Sequence, residues 1–312
     1  MSKKQSNRQR AAHVCHQATG VEYNRCLDWA GEGRISRHRP VPDASSPAQR
    51  RFEAVLAHTL TKPLRDSQLD GAVLGLRGIE PDGEQPTLHL HPVMADRIVA
   101  ELLPRFDAGY GGLRGVPGLR PERADGHWLL VDVSSSAAVR LGHEYPGWHP
   151  RLPRRERGLT AVWQDAPDRL SRVERQELAE WDEGRAERRS PAARDLLFSR
   201  VLRRPLLVNK AGRSHGWVNT YTHFSHDIVF EWCCGVAAVE VAAELRESGI
   251  TAAADGVVVA PSPDLEPHPE RIDMGEASVV LRCLDAEWCR EPGGGLLGVE
   301  RIAAAIRRRY ES

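Results

Sequence analysis

Apolar residues recur along the chain in two periods, and the breaks between them outline a fold. From Pro47, residues Phe52, Val55, Leu56 and Leu60 fall on one side of a helix, with proline at the favoured first position. Gly71 to Ile79 and Thr87 to His91 read as strands. Pro81-Asp82-Gly83 between them is a turn signal, so the spacing predicts a hairpin. Pro92 opens a helix through Leu103, where Pro104 stops it, and Trp128 to Val133 reads as a strand. Ser171 and Glu174 stand at capping-box spacing before a helix reaching Trp181. Its stripe (Val173, Leu178, Trp181) is thin, so most of that helix should face water. A stronger helix starts at Ser190-Pro191 and ends before Pro205. Leu206 to Val208 then reads as a short strand, Val236 to Glu247 as a nearly all-apolar helix closed by Gly249, and Val257 to Val259 and Ser278 to Leu284 as strands. A last helix from Leu296 shows Val299, Ile302, Ile306 and Tyr310 at helical spacing. No fixed-period repeat is visible.

These elements predict a mixed fold, α/β or α+β, in two α/β blocks at 49–149 and 191–312. A charged, partly helical connector at 150–190 joins them, and a small helical arm at 1–34 and a polar, Pro-bearing linker at 35–48 precede them. In the arm, Arg8 to Gln17 and Glu22 to Ala30 form two helices broken at Thr19-Gly20, where glycine suits the left-handed helix end. Val14, Val21, Cys26, Leu27 and Trp29 offer it a thin core. The residues Ala11-Ala12, Gln17, Thr19-Gly20, Tyr23 and Leu27 resemble a short helix–Thr-Gly–helix module carried by varied proteins of high-GC bacteria. The resemblance spans residues 8–30 and implies no activity.

Composition sets bounds on this picture. The 312 residues are 41% hydrophobic and 28% charged with eight Trp, which excludes a disordered chain. Lys+Arg and Asp+Glu are equal at 43 each, so no protein-wide field draws in nucleic acid or membrane. The basic residues are almost all arginine, with lysine only at positions 3, 4, 62 and 210, as GC-rich coding produces. The N-terminus lacks the apolar stretch of a secretory signal, and no run has the length of a membrane span. Six cysteines are too sparse for a disulfide framework and read as reduced. A cytoplasmic location is therefore expected, with no membrane association.

Candidate chemistry concentrates between Val208 and Cys234, after an expected strand, where α/β proteins place their sites. Lys210, His223, His226, Asp227 and Glu231 form the candidate catalytic set, and Arg213, His215, Asn219 and Tyr221 the candidate substrate-binding set. If Asp227 to Trp232 is a strand, Asp227, Val229 and Glu231 share one face; if a helix begins near Ser225, Asp227 lies over Glu231. Either geometry offers a carboxylate pair near a histidine able to act as base. The plain structural alternative is a polar junction whose His and Asp cap backbone groups. For metal, His223-x-x-His226 with Cys233-Cys234, or with Cys283 and Cys289, has spacing too loose for a structural zinc site, so no metal ligands are assigned. Nucleotide-binding and nucleophile-elbow signatures are absent, and no cofactor is implied. The Gly109 to Gly118 run reads as a mobile surface loop, and Asp132 as a solvent-facing strand residue or a further carboxylate.

Two functions fit these features. One is an enzyme acting on an anionic substrate through a His/carboxylate site in 209–231. The other is a non-enzymatic component of a multiprotein system that binds DNA or a protein partner through residues 1–34, with Lys3, Lys4, Arg8 and Arg10 as the basic contacts. Oligomeric state is not legible.

Overall fold

A computed structural model describes residues 6–61, 72–145, 147–153, 158–183, 191–212, 218–222, 225–233, 235–251, 258–261 and 269–284. The arm is α1 (Asn7–Thr19) and α2 (Tyr23–Gly31). The first block runs α3 (Pro47–Leu60), β1 (Leu76–Glu80), β2 (Thr87–Leu90), α4 (Ala95–Leu102), β3 (Arg105–Asp107), β4 (Gly112–Arg114), β5 (Leu119–Ala124), β6 (His127–Asp132) and β7 (Ala138–Gly142). The connector holds β8 (Leu159–Ala161), α5 (Val162–Asp165) and α6 (Arg172–Glu183). The last block runs α7 (Pro191–Leu202), α8 (Pro205–Gly212), β9 (Val218–Tyr221), β10 (Asp227–Cys233), α9 (Ala238–Glu247), β11 (Val258–Pro261), β12 (Glu270–Met274) and β13 (Ala277–Leu284). The fold is mixed α/β, and no helix among the described residues is long and apolar enough to cross a membrane. The helix expected from Leu296 lies outside the described residues.

Where the structure departs from the sequence reading, local chemistry explains it. Leu206 to Val208 is not a strand. Pro205 starts α8 there, its fixed φ matching a first helical turn, and Leu207 and Val208 are buried by that helix. Gly109 to Gly118 is not a loose loop: Asp107 Oδ1 accepts from the backbone of Gly109 and Tyr110, and the chain turns back as β4 to pair with β3. Asp132 does not face solvent. Its carboxylate accepts from Ser134 and Ser135 and closes the turn into β7. The capping box at Ser171 and Glu174 forms, but Glu174 is fully buried. Its carboxylate accepts from Gly118 N at 2.9 Å and from Arg120 at 2.8 and 3.1 Å, which pins α6 to β5.

A repeat does exist, in topology. Starting from the hairpin, one sheet is ordered β1-β2-β7-β6-β5 and the other β9-β10-β13-β12-β11. In both, the first pair is antiparallel, the second parallel, and the remaining two antiparallel. The helices match too. Ala95, Ile98, Val99 and Leu102 are the buried positions of α4, and Ala238, Val241, Ala242 and Leu245 those of α9, at identical spacing. Ser46-Pro47-Ala48-x-Arg50 before α3 has its counterpart in Ser190-Pro191-Ala192-x-Arg194 before α7. The central registers coincide as well: Ile79–Leu88–Leu141 in one sheet stands for Thr220–Phe230–Leu281 in the other.

The two units meet where α3 packs on α7, and a single hydrophobic core runs through both. Within that contact Glu53 and Arg203 are both fully buried. Arg203 Nε and Nη2 donate to the Glu53 carboxylate at 2.7 and 2.6 Å, and Ser199 Oγ and Gln49 Nε2 add two further bonds to it. Arg203 also donates to the carbonyls of Pro42 and Asp82. One turn away Arg200 holds Asp43 bidentately, and Arg204 donates to the backbone and hydroxyl of Ser248. Burial pushes the Arg204 guanidinium down to about 9. Burial alone would raise the Asp43 carboxyl, but the Arg200 guanidinium bound to it holds it below its ordinary value. Residues 35–46 are irregular, as a linker would be, whereas 47 and 48 already open α3; yet Ile35, Val41 and Ala44 are buried, and the segment lies along α7 through these arginines.

The arm docks on the first block. Gly20 takes φ +81°, ending α1, and Thr19 O comes so close to Gly78 of β1 that a Cβ there would sit 2.8 Å from it. Arg25 pairs with Glu80 at 2.8 Å, and Ala18 belongs to the main core. The arm's own core is Ala11, Ala12, Cys15, Val21, Cys26, Trp29 and Ile35, while Val14 is half-buried outside that core.

Two outcomes are expected. Glu53→Leu leaves Arg203 as an uncompensated buried cation and should lower urea-denaturation stability by about 3–5 kcal/mol; a loss under about 1 kcal/mol, within surface-mutation scatter, would contradict the role assigned to the pair. Glu174 supplies the pH dependence. Burial raises its carboxyl, but Arg120 and the Ser171 and Gly118 amides outweigh that and hold it below the ordinary 4.5. Its stabilising contribution is therefore complete above that ordinary value and is lost as pH falls through the depressed native one. Wild type should lose more stability than Glu174→Gln across that acidic window, and parallel curves would remove the assignment.

Candidate functional site

The described residues proposed between Val208 and Cys234 come from α8, β9, β10 and the turn before β10, and they do not share one side of the second sheet. β10 alternates in the usual strand manner, and Ile228, Phe230 and Trp232 enter the main core with Leu207, Val208 and Ala211 of α8 and Val241 of α9. Asp227, Val229 and Glu231 take the other face. Lys210 sits on α8, on the helical side, where its ammonium pairs with Glu244 of α9. Lys210 and Glu231 are therefore not brought together, because a helix stands where a strand ending in a loop was expected. The strand geometry also separates the carboxylates. Four residues along β10 put Asp227 and Glu231 roughly 13 Å apart, too far to share a proton or an ion, so the expected close pair does not form. His226 precedes the strand, and its carbonyl accepts from Ser278 N at 2.9 Å. His223, Arg213 and His215 lie outside the described residues, as do Cys234 and Cys289.

What the structure does assemble is a row of polar side chains across three strands. Asn219 of β9 faces Glu231 of β10, and Arg282 of β13 lies beside it in the parallel register. Arg282 Nη1 donates to Glu231 Oε2 at 3.0 Å and Tyr221 Oη to the same oxygen at 3.2 Å. All but 2% of Asn219 is buried, and among the described residues neither its Oδ1 nor Arg282 Nε has a hydrogen-bond partner. Asn219, Tyr221 and Glu231 were legible as polar residues of a strand end. Arg282 was not, because its place depends on the parallel pairing of β13 with β10, some fifty positions earlier in the chain. Among the described residues no group of three or more His, Cys, Asp or Glu side chains converges as metal ligands would.

The arm supplies a second candidate. A cleft of about 570 Å³ opens between α1, the segment at 37–40 and the end of α9. Arg10, His13 and Val14 line it from α1, Arg37 and Pro40 from the segment, and Glu247 from α9. Gly249, at φ +78°, brings the chain after α9 against His38 and Pro40 and so closes one wall. Among the described residues Arg10 and Arg37 have no ion-pair partner, unlike Arg200 and Arg203. Arg8, proposed with Arg10 as a contact, is used inside the arm: its Nε donates to Leu27 O at 3.0 Å and its guanidinium covers Gly31. Lys3 and Lys4 lie outside the described residues. His13 and Arg37 were not singled out by the sequence, since only the fold sets the segment at 37–40 beside α1.

The separation of Lys210 from Glu231 has a measurable consequence. Lys210→Met and Glu231→Gln should change stability additively, with a coupling below about 0.5 kcal/mol, as for distant independent sites. A coupling of 1 kcal/mol or more, in the range of residues in contact, would place the two side chains in one site.

No protein-family model matches the chain, and neither a curated protein nor a solved structure does.

Proposed function

We propose that this chain is a non-enzymatic, cytoplasmic binding component that takes an acidic segment of a partner protein in the cleft beside α1. The observation that carries this reading is the pair of arginines, Arg10 and Arg37, that line one cleft and, among the described residues, are in no ion pair, although Glu247 stands at the same cleft. Guanidinium groups match carboxylates in planar, two-pronged hydrogen bonds. Val14 and Pro40 give the cleft an apolar wall for a side-chain stem, and its volume is that of a site for a small group.

Duplex DNA fits less well. It carries one charge per roughly 1.7 Å of axis, so it calls for a broad basic stripe, whereas this cleft is small and Glu247 stands within it. Acid–base chemistry on an anionic substrate at 209–231 is the weaker reading, since Lys210 is engaged with Glu244 and the carboxylates of β10 stand apart.

The test is fluorescence anisotropy on the full chain with a labelled oligoglutamate peptide and, separately, a labelled mixed-sequence duplex DNA. The peptide should bind, weaken with salt, and lose roughly tenfold or more in affinity when Arg10→Glu and Arg37→Glu are combined. Binding of the duplex without the peptide, or peptide binding indifferent to both reversals, would overturn the proposal.

A further inference from the structure

The arm buries two cysteines, and nothing in the binding reading uses them. Cys15 lies on α1 and Cys26 on α2, both fully buried in the arm's small core, and both thiols are free. They converge on one turn. Cys15 Sγ lies 4.0 Å from Thr19 Oγ1, and Cys26 Sγ donates to Val21 O at 3.7 Å. Thr19 Oγ1 in turn accepts from Val21 N at 3.2 Å. Both sulfurs therefore lie against the one turn at residues 19–21, inside the same small core.

We infer that Cys15 and Cys26 are a dithiol that closes to an intramolecular disulfide under peroxide, a reversible modification site within the arm. This is independent of what the cleft binds. Their different surroundings divide the roles. The neighbouring Cys26 thiol lowers the Cys15 thiol against the opposing effect of burial, with smaller help from Thr19 and the charge of Arg204. The neighbouring Cys15 thiol and burial raise Cys26. Cys15 is thus the thiolate that attacks first. Its sulfur takes one oxygen of the peroxide as the O–O bond breaks, giving a sulfenic acid and one water. The Cys26 sulfur then attacks the Cys15 sulfur, the S–O bond breaks, and the hydroxyl leaves as a second water with the Cys26 proton. The two sulfurs lose two electrons in all, and the peroxide is reduced to two waters. The bond would tie α1 directly to α2, whose present link is a thin core and the Arg8–Leu27 contact.

The experiment uses the full-length protein treated with hydrogen peroxide, alkylated under denaturing conditions and digested with trypsin. Peptide 11–25 carries Cys15 and peptide 26–34 carries Cys26. A linked pair of these peptides, lighter by two hydrogens and separated by a reductant, is the expected product. Proteolysis of the arm should also become slower after oxidation. In Cys26→Ser, Cys15 should instead accumulate as a sulfenic acid trapped by dimedone, with circular dichroism confirming the fold. Full alkylation of both cysteines after peroxide, or a link to any other cysteine, would overturn the inference, and the wild-type map decides the matter even if the variant fails to fold.

Discussion

Glu53 and Arg203 sit at the contact of α3 with α7, out of reach of water, and three otherwise separate parts of the chain are referred to that one pair. The carboxylate collects hydrogen bonds from Gln49, Ser199 and Arg203, while the guanidinium spends its remaining donors on the carbonyls of Pro42 and Asp82. Removing two charges from water is unfavourable, and the arrangement is tolerated only because so many of their hydrogen-bonding positions are satisfied. That requirement is also specific. Apolar side chains at the same places would hold the helices together, but they would not dictate where residues 42 and 82 must pass. The neighbouring pair Arg200–Asp43 extends the same logic to the segment before α3.

Much of the fold was legible because it follows from periodicity and capping chemistry. The helices at Pro47 and Pro191, the hairpin of β1 and β2, and the strand at Trp128 each declare themselves within a dozen residues. Some departures are local, but others turned on a partner distant in sequence. Glu174 looks like a solvated helix-start residue until Arg120 arrives from β5. Nothing near Arg200 of α7 or Arg203 just after it announces the carboxylates of Asp43 and Glu53 that they pair with. Leu206 to Val208 has the composition of a strand, and only the local geometry set by Pro205 and the packing of α8 decide otherwise. The candidate site divides along the same line. Asn219, Tyr221 and Glu231 share a face because alternation along a strand is a local rule, whereas Arg282, His13 and Arg37 join their neighbours through tertiary contacts.

The repeat escaped the sequence for a different reason. Corresponding positions such as Ala95 and Ala238, or Leu141 and Leu281, lie at offsets that drift by a few residues, because the stretch from α4 to β7, which holds β3 to β6, is longer than the stretch from α9 to β13. A search for one fixed period smears such a signal out. What persists is the burial pattern of one helix and the hydrogen-bond order of the strands, and neither is written in residue identities.

Corresponding places in the two sheets have also acquired different chemistry. The row Gly78–His89–Gly142 occupies in the first sheet the place of Asn219–Glu231–Arg282 in the second. In the first, the two glycines leave room for Thr19 O above one and the His89 ring across the other; in the second, every position carries a polar side chain. In an assembly of two identical chains, one substitution alters both copies of a surface at once, so a face that must accept a packed backbone cannot also grow charged side chains. Carrying both units on one polypeptide lifts that restriction. Here one unit seats the arm while the other carries hydrogen-bonding groups, and the two stay in a one-to-one ratio at any dilution.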